Sequence, residues 1–405
     1  VFPGPSEGKA AEPFHTEVID DEPETGTTTG TVRPSPVSQV VDLPPLELKE
    51  DCQQRPTLVI GLGGCGAKAV SALTQRLTTK FGALDSLAWF DAMVIDTDYD
   101  EFLSTFTDEE PSCLLERQFV HLPLKPTQYY RRNAGELTRW LSRRWIYNIP
   151  KSQKPDGVRP LGRLALVDNM PQVEKQLEHA IARLCRDRSA AESGEETPAE
   201  QSQPRIFLVG SLTGGTGGAI FADIAQLVHR AFSAYDLPQP EIVCLLAHWT
   251  SSSPEAAELA AVNACSALVE LNHLQTDGCP GDVTCHLPAL GRHHGLFKHV
   301  YFVDLGWHSQ SASFSSAAQQ LAGYLELNLS PELGEFGALA RQATSEPARG
   351  ISVARTFSYA ALEAADLAQG SPAIDVLVRR TLERFWLDKG DSELIREVTL
   401  ALAKI

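Results

Sequence analysis

The chain has 405 residues, with 52 acidic side chains against 35 basic ones and a formal net charge of −17. An acidic balance without a dense basic patch argues against nucleic acid or a membrane surface as a partner. No apolar run approaches the roughly 18 residues of a membrane span, and no basic-then-apolar targeting pattern opens the chain, so a cytoplasmic protein is expected.

Residues 1–54 carry nearly half of the net charge and are rich in Pro, Thr, Gly and Glu without apolar periodicity. Such a segment cannot bury enough surface to offset its ordering entropy, so a disordered acidic tail is expected, a linker or a partner-binding arm. From Arg55 the pattern changes. Short apolar runs at Leu58–Ile60, Ala92–Ile95, Phe119–Leu122, Ile206–Val209, Ile242–Ala247 and Val300–Val303 alternate with helix-length segments. This rhythm predicts a parallel sheet covered by helices on both faces, an α/β fold. Eight cysteines without Cys-x-x-Cys pairs fit reduced thiols.

The first run leads into Gly61-Leu-Gly-Gly-Cys-Gly66, and roughly 150 residues later the fourth leads into Gly214-Gly-Thr-Gly-Gly218. A glycine-rich turn that opens a helix presents backbone N–H groups to an anion and lets a phosphate approach closely. Two on one chain suggest a triphosphate gripped from both sides. The first turn alone also satisfies a dinucleotide fingerprint, but Asp96 stands further on than the roughly 20 residues expected of a ribose-binding acid. It is not a P-loop, since Lys68 comes late and no hydroxyl follows it. Cys65 reads as a small residue in a tight loop, because no partnering base is visible.

Between the two turns, Trp140 and Trp145 lie in a basic stretch and read as helix-face packing with solvated charges. Arg159 and Arg163 are candidates to neutralise phosphate, or else surface salt bridges. Asp96 and Asp98 are candidates to hold magnesium through water or to contact a neighbouring subunit, with strand-end capping as the structural alternative for Asp96. The polar stretch Ser189–Pro204 reads as a mobile loop. Cys279–His294 contains ligand-type residues at no usual zinc spacing and reads as a surface loop. Beyond Pro331 the strand rhythm fades, and Ala360–Ala368 and Ala373–Lys389 look helical.

The second turn, in which Gly218 stands where Ser or Thr is usual, resembles the signature of the tubulin/FtsZ superfamily, most closely its divergent bacterial tubulin-like members. Other matches follow in order. Gly63–Val70 is similar to the first phosphate loop, Asp96-Thr97-Asp98 to the second, and Gly157–Ala165 to the segment over the γ-phosphate. Pro254–Leu274 is similar to the helix that follows, His299–Asp304 to the strand whose end reads the base, and Ser313–Leu321 to the start of the central helix.

The resemblance covers residues 55–330 and implies a tubulin/FtsZ-type domain there; residues 331–405 read as a mostly helical C-terminal extension, with an incomplete second domain as one alternative. The resemblance implies GTP or GDP with Mg2+, head-to-tail filaments, and an active site completed by the next subunit. It places nucleotide contacts at Gly61, Gly63, Gly64, Cys65, Gly66, Lys68, Asp96, Asp98, Gly162, Arg163, Gly214, Gly215, Thr216, Gly217, Gly218, Asp304, Phe314 and Ala317. Phe314 is the base-stacking candidate, with core packing as the alternative. Departures are equally clear: Lys68 replaces the usual Asn, Asp304 stands for Asn, and Ala318 stands for an acid or amide, with Gln319 as the candidate substitute. The Asn-x-Asp-x-x-Asp loop that completes a neighbour's site is missing, and Glu332 and Glu335 are the nearby acids left as catalytic candidates. The expectation is a slow, assembly-dependent GTPase. The rivals are a nucleotide-holding scaffold and, less well supported, a dinucleotide-dependent oxidoreductase.

Overall fold

The computed structural model describes residues 55–103, 118–186, 203–248, 254–282, 285, 287–291, 295–304, 314–330, 334 and 355–358, all inside one compact unit within Val40–Ile405. Each apolar run of the sequence forms a strand: β1 (Thr57–Leu62), β2 (Phe90–Asp96), β3 (Phe119–His121), β4 (Arg205–Ser211), β5 (Glu241–His248) and β6 (His299–Asp304). A seventh strand, β7 (Arg355–Ser358), pairs with β6. The sheet therefore does not end at β6, and it draws on the segment beyond residue 330 that was expected to be mostly helical. All neighbours are parallel, in the order β3-β2-β1-β4-β5-β6-β7.

Parallel strands need crossovers, and most of these are helices: α1 (Gly63–Phe81), short α2 (Tyr99–Leu103), α3 (Thr127–Arg132), α4 (Ala134–Leu137) and α5 (Arg143–Tyr147), long α6 (Arg159–Arg186), α7 (Gly217–Ala234), α8 (Pro254–Asp277) and α9 (Phe314–Leu329). Period-two alternation sorts β1 between two cores. Leu58, Ile60 and Leu62 join Leu164, Val173, Ile220, Phe221 and Leu271 of α6, α7 and α8 on one face. Val59 joins Val70, Leu73 and Leu77 of α1 with Leu321 and Leu325 of α9 on the other. Buried on both faces, β1 and β4 read as continuous apolar runs rather than as alternations.

One further segment differs from its sequence reading. Cys279, Cys285 and Leu287, in the stretch read as a surface loop, are buried in the first core. A backbone pairing of Cys279 with Leu290 and of Asp282 with Leu287 folds this segment back on itself. Trp140 and Trp145 are partly buried against the same core, as expected. The candidate helices Ala360–Ala368 and Ala373–Lys389, and nearly all of Ser189–Pro204, lie outside the described residues.

The strand order creates one special place. From β1 the chain passes to β2 on one side of the sheet, and later returns to place β4 on the other side. Crossovers that leave neighbouring strands in opposite directions open a crevice at the carboxyl ends of those strands, where ligands of such sheets bind.

Candidate functional site

Both glycine turns leave the sheet at this crevice. α1 starts at Gly63 directly after β1, and α7 starts at Gly217 after the turn that follows β4. Neither helix has a side-chain hydrogen bond at its N-cap or an acidic residue in its first turn. Helix N-termini without their own anionic partner are suited to an external anion. Gly63 adopts φ 67, a conformation that disfavours side chains. A Cβ there would lie 2.9 Å from Gly217 N, so the two turns touch each other.

The cleft above them has about 590 Å³ of open space. Its floor is Gly63, Gly64 and Cys65 from the first turn and Gly214, Gly215, Thr216 and Gly217 from the second. Asp96, Thr97 and Asp98 enter from the end of β2, and Lys154, Pro155, Asp156 and Gly157 form the opposite lip. Thr97 Oγ1 and Thr216 Oγ1 share a hydrogen bond of 2.9 Å across the two sides. Asp96 accepts from its neighbour's backbone, Thr97 N, at 2.7 Å. Thus three carboxylates, Asp96, Asp98 and Asp156, face a single cation, Lys154, among the described lining residues.

The lip is a sharply folded turn. Gln153 (φ 56), Asp156 (φ 47) and Gly157 (φ 83) all take positive φ. It packs hard on the second glycine turn: a Cβ on Gly215 would come within 2.7 Å of Gly157 C. Asn263 of α8, almost fully buried, donates one amide hydrogen bond to Gly157 O (2.7 Å) and another to Thr213 O (2.9 Å). That side chain spaces the two loops, and no sequence signal pointed to it.

Several residues expected at the nucleotide stand elsewhere. Gly162 does not line the cleft. It lies behind the floor, where a Cβ would meet Gly215 O at 2.0 Å. Arg163 is turned to Asp223 (2.9 Å) and Asp282 (2.7 Å), with its guanidinium 5.3 Å from the Trp140 ring centroid. Burial alone would lower its pKa, but the two carboxylates raise it above the ordinary arginine value. Burial raises the pKa of Asp223, and Arg163 opposes that rise. Arg159 donates to Gly218 O (2.7 Å) and is paired with Glu270, so it buttresses the start of α7 instead of facing the cleft. Gly61 and Gly66 pack against each other beneath the floor, and Lys68 and Gly218 do not line the cleft. Gln319 accepts from Arg76 Nε of α1 at 3.1 Å, which turns its carbonyl oxygen away from a base-reading role. Asp304 ends β6, and Phe314 and Ala317 begin α9, described as positions on those elements. Glu332 and Glu335 lie outside the described residues.

The cleft suits phosphate. Gly214 lines it, and its closest protein atom to an added Cβ is Ser211 Cβ at 3.9 Å, so a side chain at 214 would enter open space beside the floor. Asp96 and Asp98 are carboxylates on the cleft that an ion carried by phosphate would meet. Among the described residues no group of three or more His, Cys, Asp or Glu could hold a metal, and magnesium commonly takes one or two carboxylates plus phosphate oxygens and water.

A family described as "Tubulin like" matches residues 58–307. No curated protein matches the sequence. Solved structures similar to this chain include CetZ from Methanosaeta thermophila (14% identity, TM-score 0.39, covering 70% of this chain and 58% of that one). An FtsZ from M. jannaschii matches at 12% identity and TM-score 0.37, over 68% of this chain and 54% of that one. The TubZ of Clostridium botulinum phage c-st matches at 10% identity and TM-score 0.36, over 68% and 59%. The chain thus spans a little over half the length of these relatives. With the family match running from β1 to just past β6, across both glycine turns, the chain belongs to the tubulin-like family.

Proposed function

We propose that this chain binds GTP in the switch-point cleft and assembles with copies of itself, hydrolysing the nucleotide slowly. The observation that carries the reading is the meeting of two uncapped, glycine-floored helix starts at the adjacent ends of β1 and β4. Backbone N–H groups of Gly63–Cys65 and Gly214–Gly217 would hold the phosphates, and the hydroxyls of Thr97 and Thr216 stand beside them. Asp96 and Asp98 would hold magnesium, which when bound neutralises phosphate charge. Base choice falls to the end of β6 at Asp304 and the start of α9, where Phe314 and Ala317 would contact guanine, and Ala318 is buried against the core without a polar group to offer.

Hydrolysis in this reading is attack of water on the γ-phosphate, with stabilisation by the preorganised backbone donors. The described lining holds no His or Glu, and this reading assigns its Asp96 and Asp98 to magnesium while Asp156 accepts from Ser152, so it takes the group that aligns water from another copy or from the region of Glu332 and Glu335. Loss of such a group commonly costs about 10² to 10⁴-fold in rate. Phosphate release from GTP, followed over a series of protein concentrations, tests this. The expected result is weak turnover whose rate per molecule rises with concentration. Turnover that is fast and independent of concentration would contradict the shared site, and none at any concentration would leave a nucleotide-holding scaffold.

A further inference from the structure

Three carboxylates on the cleft oppose the approach of a polyanion to the glycine turns, and Lys154 is the one cationic side chain among the described lining residues that offsets them. Its ammonium donates to Asp98 Oδ1 at 2.7 Å and to Asp100 Oδ2 at 3.2 Å, which uses two of its three N–H donors. The pairs are not buried locks. Lys154 is 29% exposed and Asp100 84% exposed, so exchange of one anion for another costs little desolvation. The turn that presents Lys154 is held firmly. Leu124 N donates to Gln153 O (3.1 Å), and Asn263 grips Gly157 O. Gln153 and Asp156 on either side of it are held at positive φ, and backbone strain of this kind is typically retained where a group must be placed.

We propose that Lys154 is a specificity-determining residue that reads the phosphate chain, exchanging Asp98 for the extra negative charge that distinguishes a nucleoside triphosphate from a diphosphate. The inference rests on the reading of the cleft as a nucleotide site. A unit charge added about 4 Å from an ammonium is worth roughly fivefold in affinity at the dielectric of water and more where solvent is partly excluded, so about tenfold is expected for this partly exposed cation. The hydrogen bond to Asp98 holds the ammonium pKa above its ordinary 10.5, so the cation persists at neutral pH.

The test measures GTP and GDP affinities of the wild-type chain, Lys154→Met and Lys154→Arg at fixed magnesium, with far-UV circular dichroism as the check on folding. Lys154→Met is expected to lose about tenfold for GTP and less than about threefold for GDP, and Lys154→Arg is expected to keep the wild-type preference. Equal losses for both nucleotides in Lys154→Met would show a tie that only shapes the turn, and would overturn the proposal. So would an unchanged ratio. A wild-type chain that binds neither nucleotide would reject the nucleotide reading itself. One that binds GTP with a ratio insensitive to residue 154 would reject the lysine's role alone.

Discussion

A Cβ on Gly217 would lie 2.6 Å from Leu62 O and 3.2 Å from Ser211 N, both backbone atoms of the central strands. At Gly214 the nearest atom would be 3.9 Å away. Two glycines three positions apart in one motif therefore do different things: Gly217 lets α7 touch the sheet, and Gly214 keeps the cleft open. Gly217→Val should cost about 1–3 kcal/mol through overpacking against backbone, read as a lower midpoint in thermal or denaturant unfolding. Gly214→Val should unfold within about 0.5 kcal/mol of wild type. An equal loss from both would show that Gly214 also serves packing. The same reasoning makes Gly215 an unsuitable probe of ligand binding, since its Cβ would strike Gly157.

Among elements, α6, α7 and the Cys279–Leu290 segment are tied by Arg163, Asp223 and Asp282. Removing the guanidinium in Arg163→Met leaves Asp223 almost fully buried without its opposing charge, and losses of about 3–5 kcal/mol are typical of such broken buried pairs. The sign with pH follows from the raised pKa of Asp223. A carboxylate whose folded pKa lies above its ordinary 3.8 gives its full stability below that value and loses it as pH rises through the folded one. Arg163→Met raises the folded value further, so its destabilisation should be larger at pH 7 than at about pH 5. Unfolding in urea at the two pH values measures this, and a pH-independent loss would count against the buried carboxylate as its cause.

Legibility followed the same division. β1 to β6 were readable because each is a run of apolar residues, and the glycine turns because their chemistry is local to a few consecutive positions. β7, Arg-Thr-Phe-Ser, is short and half polar, and only its pairing with β6 makes it a strand. Arg163 pointed to phosphate by proximity to the family motif, yet its partners lie 60 and 119 residues further along the chain. Lys154 and Asn263 carried no signal at all. The first sits in a polar turn and the second in the middle of a helix, and they reach the cleft only through tertiary packing.

For the whole molecule, topology decides where the ligand goes. A parallel sheet whose chain turns back between β1 and β4 makes one crevice, and the two glycine motifs fill its floor. Filament assembly follows if the surfaces that meet are different patches of the chain, because heterologous contacts that do not close continue into a polymer. All of this depends on GTP occupying the cleft. The most direct measurement is a calorimetric titration of GTP into the wild-type chain and into folded Gly214→Val. The account predicts one GTP per chain for the wild type and loss of binding in the variant. Equal GTP binding by both proteins, or none by the wild type, would contradict it.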